Sequence, residues 1–541
     1  MATLAEPIVH GKPVESELKV NTLSLFDTTV IATSSVAPAY TLAATVGFLV
    51  AAVGLASPAA ILVGFVPVLC IAIAYYYLNR QDPNCGASYS WVSRTLSPHI
   101  GWMGGWIQLA ANVLFCAAAP LVAAAYTLQL LNSLFPSFVT ADATSNTWLI
   151  AVIGIAWLLF VTFMVVRGIR ITANFQWVLV FLEYFIVLAF AITAFVKIIG
   201  GHHAATPLSA SWFSPGSIPG ISGVASGSAL AVFFFWGWDT AANVNEESKD
   251  ANESPGLAGI YSMFILLFIF LVAAAAMQAF LGSAALTNSN NQSDVLYFFA
   301  QQISGTPIAY LMVLAVLSST VATTQTTLLP SSRLTYSMAR DGVFPKAFGT
   351  IHKSWRTPWV GTMISSILAI VVILLQAQFA GSVGSIFGKL ILDIGVLVAL
   401  YYGITGIACT WAFRKVLLTS VTRFIFAGVL PFLSGLFLFA IAYVVIAPTS
   451  LPYGGAADWG TSFPIIITVL IGVPLVIIAQ LTTRSTFFRE KTVSYILLNG
   501  RVVSALDGAT MELAGSTVGG PPPAAPTAPA DPSAQSRSSN E

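Results

Sequence analysis

Apolar runs of about 20 residues recur along this chain from Ser24 to Thr482. Each is long enough to cross a hydrocarbon core about 30 Å thick as a helix. Composition agrees: 57% of the residues are hydrophobic and 8% are charged, against about 25% charged in a soluble domain. The runs predict an all-α membrane protein with twelve spans, near 24–50, 56–79, 99–131, 147–166, 174–199, 222–247, 257–282, 306–329, 358–377, 386–412, 424–447 and 462–482. With both termini on the cytoplasmic side, about 20 of the 22 basic residues fall inside, and only Lys197 and Lys389 fall near the outer side. That asymmetry is the positive-inside rule. The net charge of +1 says nothing about partners, and no nucleic-acid partner is expected.

Two spans contain sequence that a plain lipid-facing helix would avoid. The first is interrupted at Ser34-Ser-Val-Ala-Pro38-Ala-Tyr40. Pro38 has no amide hydrogen, and its ring clashes with the preceding turn. The sixth carries Trp236-Gly237-Trp238 followed by Asp239. An acid at membrane depth costs about 2.5–3.5 kcal/mol on insertion scales. Irregular backbone there is tolerated only where it lines a cavity or is buried in protein. Spans one and six hold corresponding places in two five-span halves. Paired interruptions of this kind predict a polar site near the midplane of an inverted-repeat protein.

Four stretches then carry a family resemblance. Phe233-Phe-Phe-Trp-Gly-Trp-Asp-Thr-Ala-Ala-Asn-Val-Asn-Glu-Glu247-Ser-Lys resembles the sixth-helix signature of the amino acid–polyamine–organocation (APC) superfamily permeases. Pro83-Asn-Cys-Gly86-Ala-Ser-Tyr89 with Gly101-Trp-Met-Gly-Gly-Trp106 resembles their region between the second and third helices. Arg333-Leu-Thr-Tyr-Ser-Met-Ala-Arg340-Asp-Gly-Val-Phe-Pro345 resembles their cytoplasmic helix after the eighth span, and Leu25-Phe26-Asp27 the start of their first. The resemblance implies a leucine-transporter-like fold: a 5+5 inverted repeat with broken helices 1 and 6, plus two extra helices. It also implies alternating access and an amino acid or amine as substrate. The chain departs from the family at the first break, where Pro38-Ala39-Tyr40 stands in place of a Gly-x-Gly whose amides grip a substrate carboxylate.

The expected domains are a cytoplasmic N-terminal segment (1–22), a ten-helix transport core (23–412), helices 11 and 12 (413–484) and a cytoplasmic tail (485–541). Residues 485–513 read as a short amphipathic segment. From about 515 the tail turns Gly-, Pro- and Ser-rich and is expected to be disordered. The first 20 residues hold no apolar signal-peptide core. Cys70, Cys85, Cys116 and Cys409 show no metal-type spacing, so neither a disulfide nor a metal site is expected. His202-His203 reads as a solvated pair. No cofactor is expected, and no Walker or Rossmann glycine loop is attached to a soluble domain. Five histidines, of which only His99 touches a span and then at its edge, argue against a membrane-embedded enzyme.

The substrate site is expected from both breaks. A half-helix starting inside the membrane offers free amides and a partial positive charge, so Ala39, Tyr40 and Thr41 can receive a carboxylate, beside Ala37, Pro38, Ser34 and Ser35. The competing reading returns the hydroxyls to their own helix. Around Gly237, carbonyls near Phe235 and Trp236 can accept from an ammonium. The aromatic faces of Phe233–Trp238 can hold a cation, at about 0.5–2 kcal/mol, with Trp236 and then Phe235 the first choices. Gln108, Asn112, Tyr401 and Tyr402 are further lining candidates.

Asp239 has two readings, a helix N-cap and a proton-sensitive latch. Glu183 lies midway along span five without a basic neighbour in helical reach, and burial disfavours a lone charged carboxyl. It is expected to carry a proton against carbonyls of the first break, or else to be a neutral structural acid bonded to Asn174 or a hydroxyl of span eight. Thr33 with Thr323 and Thr324 of the hydroxyl-rich eighth span form a candidate ion site, which leaves sodium open beside the proton. Glu246, Glu247, Lys249, Asp250 and Glu253 read as a charged cytoplasmic loop. The resulting expectation is proton-coupled uptake of an amino acid or amine across the cell membrane. An exchanger is the rival, and a transporter-like sensor a third reading.

Overall fold

The computed structural model describes residues 17–201, 204–288, 295–379, 383–447, 459–483, 485–498 and 501–506, with short pieces at 8–9 and 12–13. The tail beyond 506, with its expected disorder, and the His202-His203 pair lie outside the described residues. The chain enters through α1 (Leu25–Val36) and α2 (Pro38–Val53), followed by α3 (Ser57–Gln81), α4 (Ser88–Thr95), α5 (Pro98–Leu134) and a short α6 (Ala141–Ser145). Then come α7 (Thr147–Arg167), α8 (Ile169–Ile199), α9 (Gly220–Phe234) and the single turn α10 (Thr240–Asn243). Next are α11 (Ser254–Thr287), α12 (Val295–Ser304), α13 (Thr306–Arg340), α14 (Trp359–Phe379) and α15 (Val383–Phe413). A turn α16 (Val421–Arg423) runs through a π stretch into α17 (Leu430–Ile446), and α18 (Trp459–Thr482) closes the bundle.

Among the described residues, ten helical stretches are long and apolar enough to cross a membrane. One of these, Leu25–Gln81, comprises α1 to α3, and the shorter apolar α9 stands apart from the ten. The outer surface carries the side chains that lipid would cover. On α8, Val178, Phe181 and Phe185 are exposed, while Glu183 on the opposite face is wholly buried. Exposed Ile367, Leu368 and Leu375 do the same for α14, and Leu433 and Leu436 for α17.

Inside, small residues let helices approach. A Cβ on Gly64 of α3 would lie 2.3 Å from the Cβ of Ala231 on α9. One on Gly406 of α15 would lie 2.6 Å from the Pro431 carbonyl oxygen on α17. With lipid as apolar as leucine, close backbone packing of this kind replaces hydrophobic drive between helices. The result is a central layer in which α1, α2, α9 and α10 are enclosed by α3, α8, α11, α13 and α15, with Phe115 of α5 against Tyr40 and Phe233.

Two expectations gain detail here. Within the segment 485–513, expected to be amphipathic, the described residues include a strand pair. Val493–Leu498 (β3) pairs antiparallel with Arg501–Leu506 (β4), in the register Leu498↔Arg501; a second, two-residue pair joins Ile8–Val9 (β1) to Lys12–Pro13 (β2). The segment leading into β3 is pinned to the bundle, with Phe487 stacked on Tyr89 of α4, and Tyr495 of β3 packs on Phe413 of α15. Glu246 and Glu247, read as part of a charged cytoplasmic loop, are each paired with an arginine of α13. Glu247 and Arg333 are fully buried and bidentate, with Arg333 Nε and Nη2 donating to Oε2 and Oε1 at 3.0 Å each. Arg340 makes a second fork to Glu246 at 2.8 and 3.1 Å. Glu253 pairs with Arg80 at 2.7 Å. The Glu247 carbonyl also accepts from the amides of Thr22 and Leu23, so one buried pair ties the entry to α1, the exit from α10 and the last turns of α13.

Candidate functional site

The first break sits at Ala37. Its backbone turns left-handed (φ 52°, ψ 72°), and Pro38 occupies the first position of α2. Proline suits that position because its missing N–H would have been unpaired anyway. Ser24 caps the other end of α1 reciprocally with Asp27, as a capping box does.

The second break runs from Phe235 to Asp239, between α9 and α10. Its pivot is Gly237 at φ 116°, a conformation that side chains oppose. The two breaks touch: a Cβ on Gly237 would lie 2.8 Å from the Ser35 carbonyl oxygen and 3.0 Å from its Oγ. Ser35 Oγ also hydrogen bonds Thr240 Oγ1 at 2.9 Å.

The start of α2 is an anion seat in principle. Here protein groups fill it. The Ala39 amide donates to Glu183 Oε1 at 2.7 Å, and the Tyr40 amide to Ser319 Oγ at 3.1 Å. Ser319 in turn donates to the same Glu183 oxygen at 2.8 Å. Thr41 returns its amide to Ala37 O and its hydroxyl to Val36 O. The expected carboxylate-binding amides of Ala39, Tyr40 and Thr41 therefore all have partners in this state. Glu183 meets the break through an amide rather than through carbonyls. Its Oε2 is buried with no partner, and no ion pair among the described residues reaches it.

The hydroxyls divide. Ser34 donates to Gln176 of α8, which also bonds the Ala322 carbonyl and Gln325. Thr323 donates to the Ser35 carbonyl at 2.6 Å, bridging α13 to the end of α1. Thr33 and Thr324 turn back to their own helices, to Thr29 and Val30 and to Thr320. Of the three candidate ion ligands, only Thr323 reaches across to the break.

Asp239 stands at the N-cap position of α10, yet its side chain makes no capping bond. Its carboxylate instead accepts from Tyr401 at 2.9 Å and Tyr402 at 3.0 Å, both on α15, with Gln108 Nε2 of α5 at 3.5 Å. Four residues make too short a helix to orient the carboxylate, and the phenols from α15 hold it. Trp236 donates its indole N–H to the Tyr401 hydroxyl at 2.8 Å, so one phenol links indole to carboxylate. Trp236 also packs edge-on against Phe115, which meets Tyr40 at 5.5 Å. Phe235 does not join them; it packs against Phe65 of α3 and Phe270 of α11. Gln108 Oε1 and Asn112 Nδ2, one turn apart on α5, are buried without partners. Among the described residues, no group of three or more His, Cys, Asp or Glu gathers as metal ligands.

Sequence reasoning missed Gln176, Phe115 and the pairing of Arg333 with Glu247. Ser319 stood undistinguished in the hydroxyl-rich eighth span. A glutamine facing into an apolar helix was the available signal for Gln176; the other contacts depend on helix rotation.

The amino acid permease family model matches residues 23–488. The low-affinity putrescine importer PlaP of Escherichia coli (strain K12) is 27% identical over 319 residues, covering 58% of this chain and 66% of that protein. The methylthioribose transporter of Bacillus subtilis (strain 168) is 26% identical over 378 residues, covering 67% and 78%. The branched-chain amino acid permease BcaP of Lactococcus lactis subsp. cremoris (strain MG1363) is 27% identical over 328 residues, covering 58% and 66%. The chain thus spans about two thirds of the length of the first of these relatives.

Proposed function

Because the chain belongs to the amino acid permease family, we propose that it is a secondary active transporter that carries an amino acid or related amine across the cell membrane by alternating access. The observation that carries this reading is the contact of two helix breaks, Ser35 against Gly237, with one buried acid attached to each. Counting α1/α2 and α9/α10 each as one broken span gives twelve spans, with the breaks in spans one and six. That supports a leucine-transporter-like 5+5 repeat in α1–α15, followed by two further spans. The density of basic residues on one side supports cytoplasmic termini.

Coupling is assigned to the proton. Glu183 bonds the first break directly, and Thr33 and Thr324 point their hydroxyls elsewhere. A neutral Glu183 leaves the seat without a buried charge, while a charged one is held by the Ala39 amide and Ser319. The two states therefore bind α2 differently, which is what a coupling group must do.

Proteoliposomes with an acidic exterior are expected to accumulate substrate, and Glu183→Gln protein is expected to lose at least tenfold of that gradient-driven accumulation. The same variant should still exchange internal for external substrate. Full accumulation by Glu183→Gln would remove Glu183 from coupling. Wild-type uptake that requires internal substrate and ignores the pH gradient would favour the exchanger instead.

A further inference from the structure

We propose that the substrate of this site is an organic ammonium without an α-carboxylate: a primary amine or polyamine rather than an amino acid. This rests on the transporter reading above and narrows its substrate class. An α-amino acid needs two seats, one for each of its charges. The seat for its anion is the opened start of α2. Here Glu183 Oε1 takes the Ala39 amide at 2.7 Å, and Ser319, itself bonded to Glu183, takes the Tyr40 amide at 3.1 Å. A ligand carboxylate would first have to displace Glu183 from the Ala39 amide and Ser319 from the Tyr40 amide, donors that the protein already satisfies itself.

The seat for a cation is intact across the Ser35–Gly237 contact. Asp239 faces Tyr401 and Tyr402 and uses one oxygen for each. A carboxylate can accept about four hydrogen bonds, so acceptor capacity remains for an ammonium. Gln108, buried and 3.5 Å from Asp239 through its Nε2, has an Oε1 with no partner. That is a second acceptor on the same spot. Trp236, Phe115 and Tyr40 stand edge to face beside it, suited to an alkyl chain and to a cation. Neither Glu183 nor Asp239 takes part in an ion pair among the described residues. The site therefore brings two acids and no fixed cation, and a ligand bearing only positive charge completes it.

Matched pairs that differ by one carboxylate test this on the purified full-length protein: putrescine with ornithine, cadaverine with lysine, and 3-methylbutylamine with leucine. Thermal-shift titration and proteoliposome uptake are expected to show at least one amine preferred over its amino acid by tenfold or more in half-saturating concentration. Asp239→Asn should weaken that amine at least tenfold. Glu183→Ala, which frees the Ala39 amide, should narrow the preference within the pair. Equal or tighter use of the amino acids overturns the inference and leaves the transporter reading standing. If folded wild-type protein moves no member of any pair, both fall. Should Glu183→Ala not fold, the wild-type pairs and Asp239→Asn decide alone.

Discussion

Replacing Arg333 with alanine is expected to destabilise the protein by about 3–5 kcal/mol, because it strands Glu247 as a buried, uncompensated charge. Both side chains are wholly inaccessible, and two hydrogen bonds of 3.0 Å join them. Removing one partner is far worse than removing both: an Arg333→Met, Glu247→Leu double variant should recover most of the lost stability. Thermal unfolding in detergent of the two single variants and the double variant measures this. Transport should not recover alongside stability. The pair also joins the strand of chain ahead of α1 to the segment after α10, through Thr22 and Leu23 on the Glu247 carbonyl. On the alternating-access reading proposed above, its parting and re-forming would accompany opening and closing at that end of the bundle. A double variant as unstable as either single would mean that the desolvated charge is not the source of the loss.

Gly237→Ala is the second large effect. At φ 116° a side chain is strained, by about 1–3 kcal/mol. The new methyl would also lie 2.8 Å from the Ser35 carbonyl oxygen, and overpacking of that kind costs about 1–3 kcal/mol more. Uptake by proteoliposomes should fall at least tenfold, since 1.4 kcal/mol already corresponds to a factor of ten. The nearest obstacle is main chain, so shortening the serine does not remove it. Gly237→Ala with Ser35→Gly should be no more active than Gly237→Ala alone. Rescue by Ser35→Gly would show that the side chain, and not the contact of the two breaks, limits this position.

Much of the fold was written in local pattern. Helix positions followed from hydrophobic runs, and both breaks followed from residues whose backbone chemistry is unambiguous: Pro38, which cannot donate, and Gly237, which tolerates positive φ. The pairing of 493–498 with 501–506 also had a signal in the sequence. The apolar-rich runs Val493-Ser-Tyr-Ile-Leu-Leu and Arg501-Val-Val-Ser-Ala-Leu flank Asn499-Gly500, and an Asn-Gly pair between two such runs is a strong hairpin signal.

The partners within the site were a different matter. Glu183 was visible as a buried acid, but its bond to Ala39 spans 144 positions of chain, and that of Tyr40 to Ser319 spans 279. Such contacts depend on the rotation and depth of helices that touch nowhere in sequence. The same holds for Phe235 and Trp236. They are neighbours in a run of aromatics, yet one packs toward α3 and α11 and the other toward α5 and α15. Burial hid the role of Glu247 for a similar reason. Its sequence neighbours are charged, so it reads as solvated until Arg333 is brought against it from α13.

The paired breaks as the substrate seat are tested most directly by a cryo-EM map of the protein with a transported substrate bound. Density for the ligand is expected between Ser35–Tyr40 and Trp236–Asp239, in contact with Gln108 or Tyr401. Ligand density anywhere else, or α1–α2 and α9–α10 running as continuous helices past Ala37 and Gly237, would contradict it.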